Sequence, residues 1–283
     1  MSKRRFVAPA RADVDPARFA HPLYAWMAPW RDWLLAEDWP AVSAMDAALA
    51  AAWHAAGLGE PRVRLVEQSG DVLADGLHYE TRIAELGRIA TRFGNWHDLL
   101  NAAVWCAQPR LKRVLNARHA AQVAQTGTGR RDRVQDAIAQ FDEAGAVLAV
   151  RDPALLALWD AHDWSGLFHT QADAWRDGRI AIAAVVGHAL PELMLLPGLH
   201  PVAKCLVVLQ APESDDATAV DAVVDAVAQE RVLRDPAELR PLPLSGVPGW
   251  HAGQDAAFYA QTPCFRPLRE GRVYPPPLNA SQP

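Results

Sequence analysis

Cysteine is scarce in this chain. Its three, Cys106, Cys205 and Cys264, lie far apart and form no Cys-x-x-Cys. That excludes a disulfide framework and a zinc knuckle, and it fits a reducing, cytoplasmic setting. Long apolar runs are missing too. The most apolar window, 180–196, is interrupted by His188, Pro191 and Glu192, too polar and too short to span a bilayer. Lys3-Arg4-Arg5 is followed by Pro9, Arg11, Asp13 and Asp15 instead of an apolar core, so no secretory signal is expected. Positive charge is in deficit: 28 Lys and Arg against 33 Asp and Glu, a net −5. This disfavours nucleic acid and anionic membranes as partners. The basic stretches Arg130-Arg131-Asp132-Arg133 and Arg110/Lys112/Arg113 read as solvated helix ends. No GxSxG, no GxGxxG after a strand, no GxxxxGK[ST] and no HExxH occurs. Serine-hydrolase, dinucleotide, P-loop and zincin readings therefore have no support.

What is present suits a folded α+β protein, predominantly helical with a small, mainly antiparallel sheet. Of 283 residues, 51% are apolar and 22% charged, enough for a core and ordinary for a folded domain. The eleven tryptophans either fill that core or line a groove. Residues 1–14 read as a flexible arm, 15–234 as one domain, and the proline-rich 235–283 as a strap packed on it. Asp15-Pro16 and Asp152-Pro153 are helix starts, with Asp as cap and Pro at the first helical position. Val42, Met45, Leu49 and Trp53 recur at helical spacing and stop at Gly57. Strands are expected at 62–67, 146–150 and 202–210, and an amphipathic helix after Ser214. The stretch 179–186 fits strand or helix.

The densest polar stretch runs from His78 to His119. Residues 77–82 and 88–92 read as a hairpin joined through Glu85-Leu86-Gly87. Asn95 then caps a helix from Trp96 to about Ala107, with Asp98 returning a capping-box bond. Pro109 ends that helix or starts another. Asp142-Glu143 with Gly145 reads as a turn.

Several pieces resemble a bacterial domain-of-unknown-function family, DUF3025. They are Tyr79-Glu80 with Arg82 and Ile83, Thr91-Arg92, Asn95-Trp96-His97-Asp98 with Asn101-Ala102, and Pro109-Arg110 with Lys112, Asn116 and His119. The series continues with Arg133 and Asp136, Phe141-Asp142-Glu143 with Gly145, and Gly187-His188-Ala189-Leu190 with Glu192. It ends with Pro248-Gly249-Trp250, Phe258-Tyr259 and Phe265-Arg266-Pro267. Gln108, Pro191 and Leu193 depart from the expected pattern. The resemblance implies membership and no activity.

Read as chemistry, positions three and four apart share a helix face. His97 with Asn101, Asn116 with His119, and His188 with Glu192 are three such pairs. Converging, His97, His119, His188 and Glu192 would hold a divalent metal such as zinc. Glu80 or Asp98 would serve as base or orienting carboxylate. Arg82 and Arg92 on adjacent hairpin strands would clamp an anion, with Asn101 and Asn116 lining the site. That assembly describes a metal-dependent hydrolase for a small anionic substrate. Its order also resembles the ββα-metal arrangement of HNH-type nucleases, against which the acidic balance counts. Plainer readings stand beside it: capping explains Asn95 and Asp98, an ion pair explains Glu80 and Arg82, and a half-buried imidazole needs no metal. Cys106, without a visible base, ranks below the histidines as a nucleophile. The alternative class is a non-catalytic peptide or apolar-ligand binder with a structural His/Asn/Arg cluster. A small molecule is the expected partner, and nothing in the sequence speaks for an oligomeric state.

Overall fold

The structure, a computed structural model, describes residues 6–127, 129 and 131–280. The first five residues of the expected arm, and Arg130 of the basic run, lie outside these. In chain order the principal elements are α1 (Val42–Ala55), β1 (Arg64–Glu67), α2 (Tyr79–Leu86), β2 (Arg88–Thr91), α3 (Trp96–Ala107), α4 (Pro109–Thr126), α5 (Arg133–Ala144), β3 (Gly145–Val150), α6 (Pro153–Asp160), β4 (Ile180–Val185), α7 (Ala189–Leu193), β5 (Val202–Leu209), α8 (Asp216–Ala228), β6 (Arg240–Pro243) and β7 (Leu278–Asn279). The class is α+β. The chain divides into two units, one of residues 1–123 with 188–199, the other of 124–187 with 200–283. No helix among the described residues is long and apolar enough to cross a membrane.

In the first unit β1 and β2 pair in parallel, Arg64 opposite Arg88. The expected hairpin is not formed, because residues 79–86 are a helix. Tyr79, Ile83 and Leu86 recur at helical spacing, and Gly87 ends the turn in the left-handed region at φ +64°. Its N–H bonds back to Arg82 O and Ile83 O, the helix stop that glycine makes without strain. The ββα order of an HNH nuclease is thereby absent from this segment. Buried Asp46 of α1 accepts from Leu65 N at 2.9 Å and Arg64 Nε at 2.7 Å, satisfying groups on β1 that β2 does not reach. Asn95 caps α3 as expected, accepting from Asp98 N at 3.1 Å. Nine of the twelve α3 residues are buried, among Tyr24, Met27, Leu49, Trp53, Ile83 and Ile89. Pro109 starts α4. Near the N-terminus, Arg11 donates to Trp33 O and Ala36 O and lies over the rings of Trp39 and Trp96.

The second unit holds a sheet in the order β4-β3-β5-β6, with β7 added to β5. It is mixed, which corrects the mainly antiparallel expectation: β3–β5 and β5–β7 run parallel, β3–β4 and β5–β6 antiparallel. The reason lies in the two central strands. Gly-Ala-Val-Leu-Ala-Val and the run Cys205 to Val208 are buried on both faces, the pattern that parallel pairing favours and hairpin alternation does not. Asp142 and Glu143 are helical, not a turn. The helix α5, held by an Asp132–Gln135 capping box, runs straight into β3. At that junction a Cβ on Gly145 would stand 2.1 Å from Phe141 O, and one on Gly187 2.3 Å from Ala144 Cα.

Candidate metal centre

The helix α3 presents His97 and Asp98 in its first turn, and α7 packs against α3 within the same unit. His188 stands at the N-terminal cap of α7 rather than on its face, with Glu192 inside the helix. The imidazole of His97 is held at both ring nitrogens. Its Nδ1 lies 2.8 Å from Glu192 Oε2, and its Nε2 lies 3.0 Å from His188 Nε2, with the two rings at 78°. His188 is 3% exposed, whereas a third of the His97 side chain reaches solvent.

This geometry sets the protonation pattern of the neutral ring. A carboxylate on Nδ1 requires the N–H there, so the lone pair of His97 sits on Nε2 and faces His188. Either the second imidazole donates into that lone pair, or both lone pairs converge on a cation. Two nitrogens bound to a tetrahedral zinc at about 2.0–2.1 Å stand roughly 3.3 Å apart, close to the separation seen. A carboxylate on the far nitrogen of a metal-binding histidine is the usual orienting arrangement. The pair is part of the histidine–carboxylate group, among the described residues, whose ligand atoms lie within 4.8 Å of one another and could hold a metal ion. Neither Glu192 nor His119 is a member of that group.

The other expected site residues fall into separate constellations. Asp98 makes no capping-box return. Its carboxylate takes Arg92 through the main-chain N at 2.6 Å, Nε at 2.9 Å and Nη2 at 2.7 Å. Asp98 accordingly raises the affinity of Arg92 for its proton, against the effect of burial, and Glu192 and Tyr79 add to it. A guanidinium therefore stands beside the His97 centre. Arg82, 4% exposed, has its fork on Asp75 at 2.6 and 2.9 Å and faces no strand partner. Each arginine thus already holds a carboxylate of the chain itself. Asn116 donates to Glu80 at its main-chain O (3.0 Å) and Oε2 (2.7 Å). The Nδ1 of His119 lies 3.8 Å from Glu80 Oε1. Asn101 donates to Tyr79 OH at 3.0 Å.

Two residues of these constellations were not singled out from sequence as site residues. Asp75 could have been found from Asp75-Gly76 before a helix start: its Oδ1 accepts from Leu77 N at 2.9 Å, an Asx turn. Tyr79 carried no such signal, since its link to Asn101 crosses between helices. Cys106 is excluded as a nucleophile, burial pushing its thiol up to about 12.

The hollow in the first unit among Phe19, Pro22, Tyr24, Met27 and Leu34 measures about 170 Å³, below the roughly 300–1,000 Å³ of ligand pockets. Phe168, Tyr259 and Phe265 in the second unit pack on one another at 5.2–6.2 Å.

Nothing among the curated proteins and nothing among the solved structures matches the chain. Its residues 63–269 match the family model described as "Protein of unknown function (DUF3025)"; that stretch is well over half of the sequence and carries every constellation above, and the chain belongs to the DUF3025 family.

Proposed function

We propose that this protein is a metal-dependent hydrolase of the cytoplasm, acting on a small anionic substrate, with His97 and His188 as ligands of a divalent ion such as zinc. One observation carries the reading: His97 meets a Glu192 carboxylate oxygen at Nδ1 (2.8 Å) and the buried imidazole of His188 at Nε2 (3.0 Å). Two neutral imidazoles suit zinc, manganese or iron. A metal held there supplies an activated water and polarises the scissile group. Glu192 orients His97. Arg92, half-exposed and beside Glu192, supplies positive charge for an anionic substrate at the rim. Glu80, held by Asn116 beside His119, is the candidate acid–base group, and Asn101 with Tyr79 offers polar contacts.

The test is metal analysis of the full chain after reconstitution, alongside His97→Ala and His188→Ala. Hydrolysis of chromogenic phosphate and carboxylate esters is followed with and without chelator. The expected result is about one ion per chain, lost in both variants, and chelator-sensitive turnover. A metal-free protein, or a metal content unmoved by either substitution, overturns the centre. Metal binding without turnover of any ester overturns the hydrolase and leaves a metal-binding protein.

A further inference from the structure

The second unit holds a hollow of about 420 Å³, within the roughly 300–1,000 Å³ of small-molecule pockets. Three segments line it: residues 151–153, where β3 leads into α6, residues 177–179 ahead of β4, and Pro212 between β5 and α8. The lining carries two carboxylates, Asp152 and Asp177, and two guanidinium groups, Arg151 and Arg179, so its charges balance. Pro153 and Pro212 supply apolar wall, and a Cβ at Gly178 would meet nothing within 4 Å.

Arg151 braces this lining. Its side chain is 10% exposed. Nη1 donates to Gly178 O at 2.7 Å, while Nε and Nη2 donate to Ser214 O at 3.1 and 2.9 Å, and Nη2 lies 2.7 Å from Asp216 Oδ1. Its main-chain N donates to Arg179 O at 2.7 Å. One buried cation thereby ties the segments on either side of the hollow to the end of β3. Arg179 is differently placed. Its Nε holds Asp177 at 3.0 and 3.2 Å. Among the described residues the outer edge of its guanidinium, Nη1 and Nη2, meets one partner, Asp152 Oδ2, 3.5 Å from Nη1, the limit of a hydrogen bond. The other oxygen of Asp152 caps α6, accepting from Ala154 N at 3.0 Å. The two side chains are 41% and 33% exposed, and an ion pair so long and so open contributes little to the fold.

We propose that this hollow binds a free α-amino acid with an apolar side chain. An open guanidinium edge and an open carboxylate oxygen stand 3.5 Å apart, and a ligand that completes both must carry an anion and a cation on neighbouring atoms. An α-amino acid does so. Its carboxylate takes Nη1 and Nη2 as a fork, and its ammonium, one carbon away, donates to Asp152 Oδ2, replacing one weak pair by charge-assisted hydrogen bonds. The balanced lining disfavours a ligand of net charge: a lone anion would meet Asp152 and Asp177, a lone cation the two arginines. The walls of Pro153 and Pro212, and the room over Gly178, suit the apolar side chain.

The site is tested by calorimetric titration of the full chain with L-leucine. A chelator is present, so that metal-bound amino acid makes no contribution and failure of the metal centre leaves the result readable. Leucinamide, which lacks the carboxylate, isocaproate, which lacks the ammonium, and glycine, which lacks the side chain, are titrated alongside. Saturable binding of leucine is expected, about tenfold tighter than that of each analogue, and weakened about tenfold by Arg179→Gln and by Asp152→Asn. Asp152→Asn keeps an oxygen for the α6 cap, so weaker binding there reports the lost charge and not a lost helix. Absence of saturable leucine binding overturns the proposal, as does a leucine affinity that both substitutions leave unchanged. Leucinamide or isocaproate binding as tightly as leucine overturns the zwitterion, and glycine binding as tightly overturns the apolar side chain.

Discussion

His97 and His188 bring their Nε2 atoms to 3.0 Å across 91 positions of sequence, and Glu192, four residues after His188, takes the other nitrogen of His97. One five-residue segment therefore supplies both a neighbouring imidazole and the carboxylate that fixes the ring. An imidazole and a carboxylate arriving together make the contacts at both ring nitrogens of His97 a consequence of how α7 packs on α3.

If Glu192 acts as that orienter, its removal lowers metal affinity without abolishing it. Glu192→Ala is expected to weaken binding about 10–100-fold, the usual cost of losing an outer-shell carboxylate. Glu192→Gln, which retains an accepting oxygen, falls at the lower end. Competition titration against a chelating dye reads both. An affinity unchanged in Glu192→Ala removes Glu192 from the centre.

Much of the scaffold was legible because its signals are local. Asn95 before Trp96, Asp152 before Pro153, and the Val42–Trp53 spacing each name an element on their own, and each element is present. The α+β class followed from them. Strand pairing was not legible, because β1 meets β2 and β3 meets β5 across long separations, and side-chain alternation does not state a partner. The misread hairpin has a similar cause. An eight-residue helix with two buried residues, Arg82 and Ile83, shows too few apolar repeats to outweigh its β-branched threonine and isoleucine. Residues of the candidate site could be chosen from sequence, since His97, His188 and Glu192 are rare polar groups in apolar surroundings. Their grouping could not, and neither could the internal carboxylates Asp75 and Asp98 that occupy Arg82 and Arg92.

The Arg82–Asp75 pair makes an acid-sensitive contribution. Hydrogen bonds from Arg82 first, then from Leu77 N, hold the Asp75 carboxyl at about 2, below its ordinary 3.8. A depressed carboxylate stabilises the fold fully above the unfolded value near 4, and the contribution is lost as pH falls towards 2. Asp75→Asn is therefore expected to melt below the parent at pH 7, with the gap in Tm closing between pH 4 and pH 2. A gap independent of pH would mean that the pair contributes through shape and not charge.

Gly87 joins α2 to β2 at φ +64°, and a Cβ there would stand 2.3 Å from Arg62 O. Its own carbonyl accepts from Arg64 N at 2.8 Å, starting the β1–β2 ladder. Gly57 shares the positive φ, +69°, with nothing within 4 Å. Denaturant unfolding should separate the two causes. Gly57→Ala is expected to cost about 1–2 kcal/mol from handedness alone, and Gly87→Ala about 2–4 kcal/mol, because backbone must also move. Equal costs would show that the Arg62 contact relaxes freely.

The Glu80–Asn116–His119 constellation can be separated from the metal centre by one isosteric change. Asn116→Leu keeps the volume and removes the amide that donates to Glu80 at two atoms. Losing those bonds in a buried setting is expected to destabilise the chain by about 1–3 kcal/mol. Metal content should not move, because neither Asn116 nor His119 shares the ligand group of His97 and His188. His119→Asn should likewise retain the metal, while altering the pH profile of any turnover if Glu80 and His119 exchange a proton. Loss of the ion in His119→Asn, with the fold intact by circular dichroism, would make His119 a ligand and require the two constellations to be one.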